Sequence, residues 1–159
     1  MATWSNRKLI SKTERRLRIK ILTDLIHSYH VHLGGRGWHS RLSDVILFND
    51  MLVVGEDLSE GISKQREHVV PCKLLFEECF KIFEQKKESA KVEVESLLDK
   101  YLKVVIIDER VSKVIDTTLG LKTSMPEGHD LPNCSPYCRI NIGYSSVSES
   151  SYNNIVWFE

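Results

Sequence analysis

The sequence predicts an α+β fold: a single compact domain with a basic N-terminal helix, a β-hairpin and a central amphipathic helix. Three observations lead there. Apolar residues recur at helical spacing in separate stretches, short β-branched runs fall between them, and no series of βαβ units demands a doubly wound sheet. With 159 residues the chain suits one core and buries roughly two-thirds of its unfolded surface. Residues 1–144 are assigned to this domain and 145–159 to a serine-rich, partly flexible tail, from which Ile155-Val156-Trp157-Phe158 is apolar enough to dock back.

The elements follow in chain order. Ser11-Lys12-Thr13-Glu14 reads as a helix entry, and Leu22, Leu25, Ile26 and Tyr29 keep the spacing of one helix face, predicting a helix over 12–32. Gly34, Gly35 and Gly37 end it by removing side-chain restraint from the backbone. Val45-Ile46-Leu47-Phe48 and Met51-Leu52-Val53-Val54 flank Asn49-Asp50 as a hairpin would. Gly55 to Ser63 is polar and is expected to cross the surface. From Pro71, the residues Cys72, Leu75, Phe76, Cys79, Phe80 and Phe83 form one apolar stripe on a core helix. Val92 to Leu102 predicts a further helix and Val104-Val105-Ile106-Ile107 a strand; Asp108 is an N-cap for a short helix that Gly120 stops.

Charge bounds the function classes. Lys+Arg 22 balances Asp+Glu 22, so affinity for a polyanion must come from local asymmetry. Residues 1–20 supply it, with Arg7, Lys8, Lys12, Arg15, Arg16, Arg18 and Lys20 against Glu14 alone. Lys12, Arg16 and Lys20 recur every fourth residue and predict a basic ridge facing phosphates. Trp38, with Arg36 and Arg41 nearby, supplies a base-stacking and phosphate-binding combination, against which stands packing of the indole in the core. No apolar run is long enough for a membrane helix, so the expectation is a cytoplasmic protein without a membrane partner. Cys72, Cys79, Cys134 and Cys138 read as reduced thiols.

Glu67-His68-Val69-Val70-Pro71 resembles the first half of the HNH, or ββα-metal, nuclease motif. The resemblance covers about five to seven residues of the chain. It implies His68 as general base for water attacking a phosphodiester, Glu67 as ligand of a divalent Mg, Mn or Zn ion, and Pro71 as a fixed turn. An imidazole titrates near neutrality and a metal offsets the charge of the transition state, so the pairing is chemically apt. The chain departs from the pattern after Pro71, because the next helix follows at once and carries neither the Asn nor the His of the motif. A second ligand must come from elsewhere, with Glu78 first and Glu77, His39 and His129 beside it.

Other groupings are less complete. His27, His30 and His32 lack the His-x3-His spacing of a helical metal pair and suit the helix C-terminus. Cys134-x3-Cys138 with His129 gives three soft ligands and needs a fourth for zinc, against which stands a pair of free cysteines in a proline-rich loop. Two function classes result. One is a metal-dependent, HNH-like phosphodiesterase or its degenerate descendant. The other is a non-catalytic accessory or inhibitor protein, of phage or mobile-element type, that binds DNA or a protein partner without a cofactor.

Overall fold

Val104–Asp108, an uninterrupted β-branched run closed by an aspartate, is the strand on which the sheet is built. In the computed structural model, which describes residues 11–47, 52–85, 87–147 and 152–158, all five of its residues are buried. Such a run suits a strand covered on both faces. Calling it β3, its neighbours are β1 (Val53–Asp57), parallel to it, and β2 (Lys64–His68), antiparallel; β4 (Ile155–Trp157) completes the order β2-β3-β1-β4 beside β1. The α+β class follows from this mixed sheet and its helices.

The helices are α1 (Lys12–Leu33), α2 (Cys72–Glu84), α3 (Ala90–Tyr101), α4 (Glu109–Lys113) and α5 (Cys138–Ser145). Ser11 caps α1 by accepting from the Glu14 amide, and Gly34, at φ 57°, ends it in the left-handed region. Pro71 stands at the N-cap of α2, and Leu75, Phe76, Cys79 and Phe83 of the expected stripe are buried. Asp108 accepts from the Arg110 amide and starts α4. After α4 the helix widens into a π turn over Val114–Thr118, and Gly120 then takes φ 66°. The core joins Leu22 and Ile26 of α1 to Leu98, Tyr101, Val105 and Ile107.

Three expectations are corrected. Val45-Ile46-Leu47 is no hairpin strand: Ser40–Val45 forms a 3-10 helix, capped by His39, and residues 48–51 lie outside the described residues. Within it the Ser43 hydroxyl donates to the Ser40 carbonyl, while Arg18 reaches the Ile46 carbonyl at 2.8 Å, so these groups are satisfied without a sheet partner. Gly55 to Asp57 is strand rather than surface loop, because its buried acids find partners: Glu56 with Lys64 at 3.2 Å and Asp57 with the Tyr144 hydroxyl at 2.6 Å. Cys138 opens α5 and is not part of a loop. The four cysteines carry no disulfide.

Arg15 and Arg18 tie α1 down. Arg15 donates to the Asp99 side chain and to the carbonyls of Asp99 and Leu102, all at 3.2 Å, which holds α1 against the C-terminal end of α3. Close approach also governs α5, where a Cβ on Gly143 would lie 2.5 Å from Ile115 Cγ1 and 3.0 Å from Val111 Cγ1. Gly143→Ala is therefore expected to destabilise the fold by about 1–2 kcal/mol, the overpacking outweighing the helix-propensity gain of about 1 kcal/mol. Urea denaturation checks this, and an unchanged midpoint would show that α5 does not sit this close.

Candidate functional site

The Glu67-His68 pair lies at the end of β2, where strand register places Glu67 opposite Val105 and His68 opposite Val104. Both side chains are half-buried, and the chain then dives into the core at Val69 and Val70. What meets them is Arg139 of α5. Its side chain is 1% exposed, and one nitrogen, Nη1, donates to Glu67 Oε1 at 2.7 Å and to the His68 carbonyl at 2.8 Å. The Nε–H donates to the Leu121 carbonyl at 2.8 Å, and Nη2 lies 3.4 Å from Asp116 Oδ1. Ser112 Oγ donates to the remaining Glu67 oxygen at 2.9 Å. A planar guanidinium is suited to this, since its fork reaches several oxygens at once and stays charged when buried.

Glu67 is thus engaged at both oxygens. A divalent cation bound there would have to displace Arg139 or Ser112, and a second cation beside a buried guanidinium is electrostatically opposed. Glu78 lies elsewhere: it pairs with Lys81 at 3.1 Å on α2, and no hydrogen bond or ion pair joins it to Glu67 among the described residues. Those residues contain no group of three His, Cys, Asp or Glu arranged to hold a metal ion. The metal implied by the motif resemblance therefore does not fit the side chains as they stand.

His68 has its own partner. Its Nδ1 is 3.4 Å from Cys72 Sγ, at the first turn of α2. Burial and the charge of Asp44 push the Cys72 thiol up to about 12, so the sulfur keeps its proton. The imidazole is held below its ordinary 6.5, first by burial, with Arg139 acting in the same direction and Asp44 against them. With one ring nitrogen facing the thiol, the imidazole disfavours the protonated form that a general base must pass through.

The other candidate side chains separate. Lys12, Arg16 and Lys20 are exposed on α1, with no acid within ion-pair distance among the described residues. Arg15 is turned inward, as described above. Arg36 is exposed and donates to the Leu33 carbonyl, and Arg41 is exposed beside His39. Trp38 is half-buried against Tyr29, Phe76 and Phe80, at ring distances of 5.2, 5.1 and 6.1 Å, an aromatic cluster that takes up its faces. Glu77 pairs with Lys73, and His129 lies 3.0 Å from the Glu127 carbonyl. Cys134 and Cys138 are buried beside Tyr101, whose hydroxyl donates to the Cys134 carbonyl at 2.8 Å. Burial and the neighbouring Cys134 push the Cys138 thiol up to about 11. Arg7 and Lys8 lie outside the described residues.

Arg139, Asp116 and Ser112 are functional-site neighbours that sequence reasoning did not reach. One signal pointed at Arg139: it stands between Cys138 and Ile140 in a stretch whose buried side includes Gly143 and Tyr144, and an arginine there needs a carboxylate. Comparison with family models, with curated proteins and with solved structures finds no match to this chain.

Two outcomes follow. Arg139→Met leaves Glu67 and Asp116 without their cation and is expected to cost about 3–5 kcal/mol of stability, whereas adding Glu67→Gln should restore part of the loss. A double-mutant cycle in urea measures the coupling; simple additivity would show that the pair contributes nothing. In addition, since burial holds His68 below its ordinary value in the fold, the unfolded chain takes up a proton first as pH falls below about 6.5, and stability is lost there. Wild type should lose more stability than His68→Gln between about pH 7.5 and pH 5. Equal losses would mean that His68 titrates alike in both states.

Proposed function

We propose that this protein binds nucleic acid through α1 and acts as a non-catalytic accessory protein, built on a degenerate HNH-like site. The observation that carries the reading is the row Lys12, Arg16 and Lys20. These residues are exposed, about 6 Å apart along the helix axis, and free of acidic partners among the described residues, whereas Arg15 and Arg18 beside them are committed to the fold. Exposed cations left unpaired along one side of a helix suit a phosphate backbone, which gains affinity by counterion release. The row carries no base-reading group, so the binding is expected to be sequence-tolerant.

Degeneracy at the motif is supported by the contacts of Glu67. The strand antiparallel to β2 is β3, and the helix after it brings Ser112 and Asp116 to the motif, so a ββα order exists in space although α2 and α3 intervene in sequence. Arg139 stands among these oxygens and supplies the positive charge. Against this, His68 beside Glu67 favours a second reading, the metal-dependent phosphodiesterase with Mg, Mn or Zn.

One experiment separates the two. Single-stranded DNA and RNA are titrated at several salt concentrations, and the same samples are incubated with Mg²⁺, Mn²⁺ or Zn²⁺. Binding without cleavage is expected. The double substitution Lys12→Glu/Arg16→Glu should lower affinity about tenfold or more and reduce the slope of log K against log salt by roughly two phosphate contacts. Absence of binding by wild type would remove this reading. Cleavage that His68→Gln abolishes would replace it with the catalytic one.

A further inference from the structure

Beyond Lys20, the same helix leads to a cleft between α1, the end of α2 and the start of α3. Its volume is about 440 Å³ and it is lined by His27, His30, Val31, Phe83, Lys87 and Ala90. Small-molecule sites range over about 300–1,000 Å³, so the space admits a ligand of nucleotide size. The floor is Phe83, 4% exposed, with the His27 ring 4.9 Å away and the His30 ring stacked on it at 6.0 Å and 27°. Val31 and Ala90 supply further apolar wall.

The polar groups of the lining carry hydrogen-bond donors and no carboxylate. Lys87 is exposed and, among the described residues, in no ion pair; Lys91, at the start of α3, pairs with Asp24 at 2.7 Å, so these two charges beside His27 act against each other. Because Phe83 lies under the His27 and His30 rings, the ring surface that the cleft presents is the two imidazoles, and with the Lys87 ammonium they match a ligand with a flat face and an anionic end. Helix geometry connects this cleft to the basic row. At about 100° per residue, Arg16, Lys20 and His27 lie within about 40° of one another around α1, with His27 two turns beyond Lys20. A backbone following the row passes Asp24, whose charge Lys91 offsets, and arrives at the cleft.

We infer that the His27/His30/Lys87 cleft receives the end of a nucleic-acid strand, with its terminal phosphate on Lys87 and its terminal base against the His27 and His30 rings and Val31. This inference rests on the reading of α1 as a nucleic-acid surface. The cleft makes the protein an end-binder: the row gives affinity for any strand, and the cleft discriminates how the strand terminates.

The test uses internally labelled oligonucleotides of roughly 12 nucleotides carrying a 5′-phosphate, a 3′-phosphate or hydroxyls at both ends. Fluorescence anisotropy with the full chain should show one phosphorylated form binding at least about fivefold tighter than the hydroxyl form. Lys87→Glu and His30→Gln, both at the cleft mouth, should erase that preference with little change for the hydroxyl-ended strand, while Arg16→Glu weakens all three alike. Equal binding of the three strands, or a preference that survives both cleft variants, overturns the inference. Should no oligonucleotide bind, the α1 reading fails separately, and calorimetry with deoxyadenosine monophosphate decides the cleft. Binding lost in Lys87→Glu supports the cleft, and no binding overturns it.

Discussion

The Arg139 guanidinium holds together parts of the chain that lie far apart in sequence. It joins the end of β2, the π turn after α4, the loop at Leu121 and α5 through four oxygens, two of them from carboxylates. A cation this deep is stable because its hydrogen bonds are nearly all made within the fold, and costly to disturb because each oxygen it satisfies would be left bare. The position of His68 follows from it. Arg139 fixes the His68 carbonyl, the strand ends there, and the imidazole turns toward Cys72 at the start of α2.

The same logic sorts the basic residues of α1. Arg15 and Arg18 lie close enough to the body of the protein to reach carbonyl groups, and a fork that donates in several directions is used for that. The lysines of the row and Arg16 point away, where a hydrated charge costs nothing to keep. A local excess of positive charge in a sequence therefore divides into a structural part and an available part, and the division is set by which residues face α3 and the 3-10 segment.

Much of the scaffold was legible in the sequence. The caps at Ser11 and Asp108, the Pro71 start of α2 with its apolar stripe, and the β-branched strand β3 each carry a local signal that tertiary contacts reinforce. The hairpin expectation failed because Val45 to Leu47 has strand-like composition while the Ile46 and Leu47 amides donate to the Ser43 carbonyl and the Ile46 carbonyl accepts from Arg18. β2 was hard to read because Lys64, Gln65 and Arg66 are charged or polar and exposed, as suits an edge strand. At the site, Glu67 and His68 stood out as a pair, but their chemistry depends on Arg139, more than seventy residues away along the chain, and no spacing rule connects positions brought together by folding alone.

The pairing of β1 with β4 has a consequence for how the protein is made. Gly55 lies opposite Trp157, whose ring comes within 2.8 Å of where a Cβ would stand, so β1 is covered on that edge by a segment roughly one hundred residues later in the chain. On a ribosome, β1 emerges long before its cover, and its buried Val53 and Val54 must wait beside an unpaired edge. An unpaired edge beside apolar residues favours association with other chains, so this sheet is closed against such contacts only once β4 has been made.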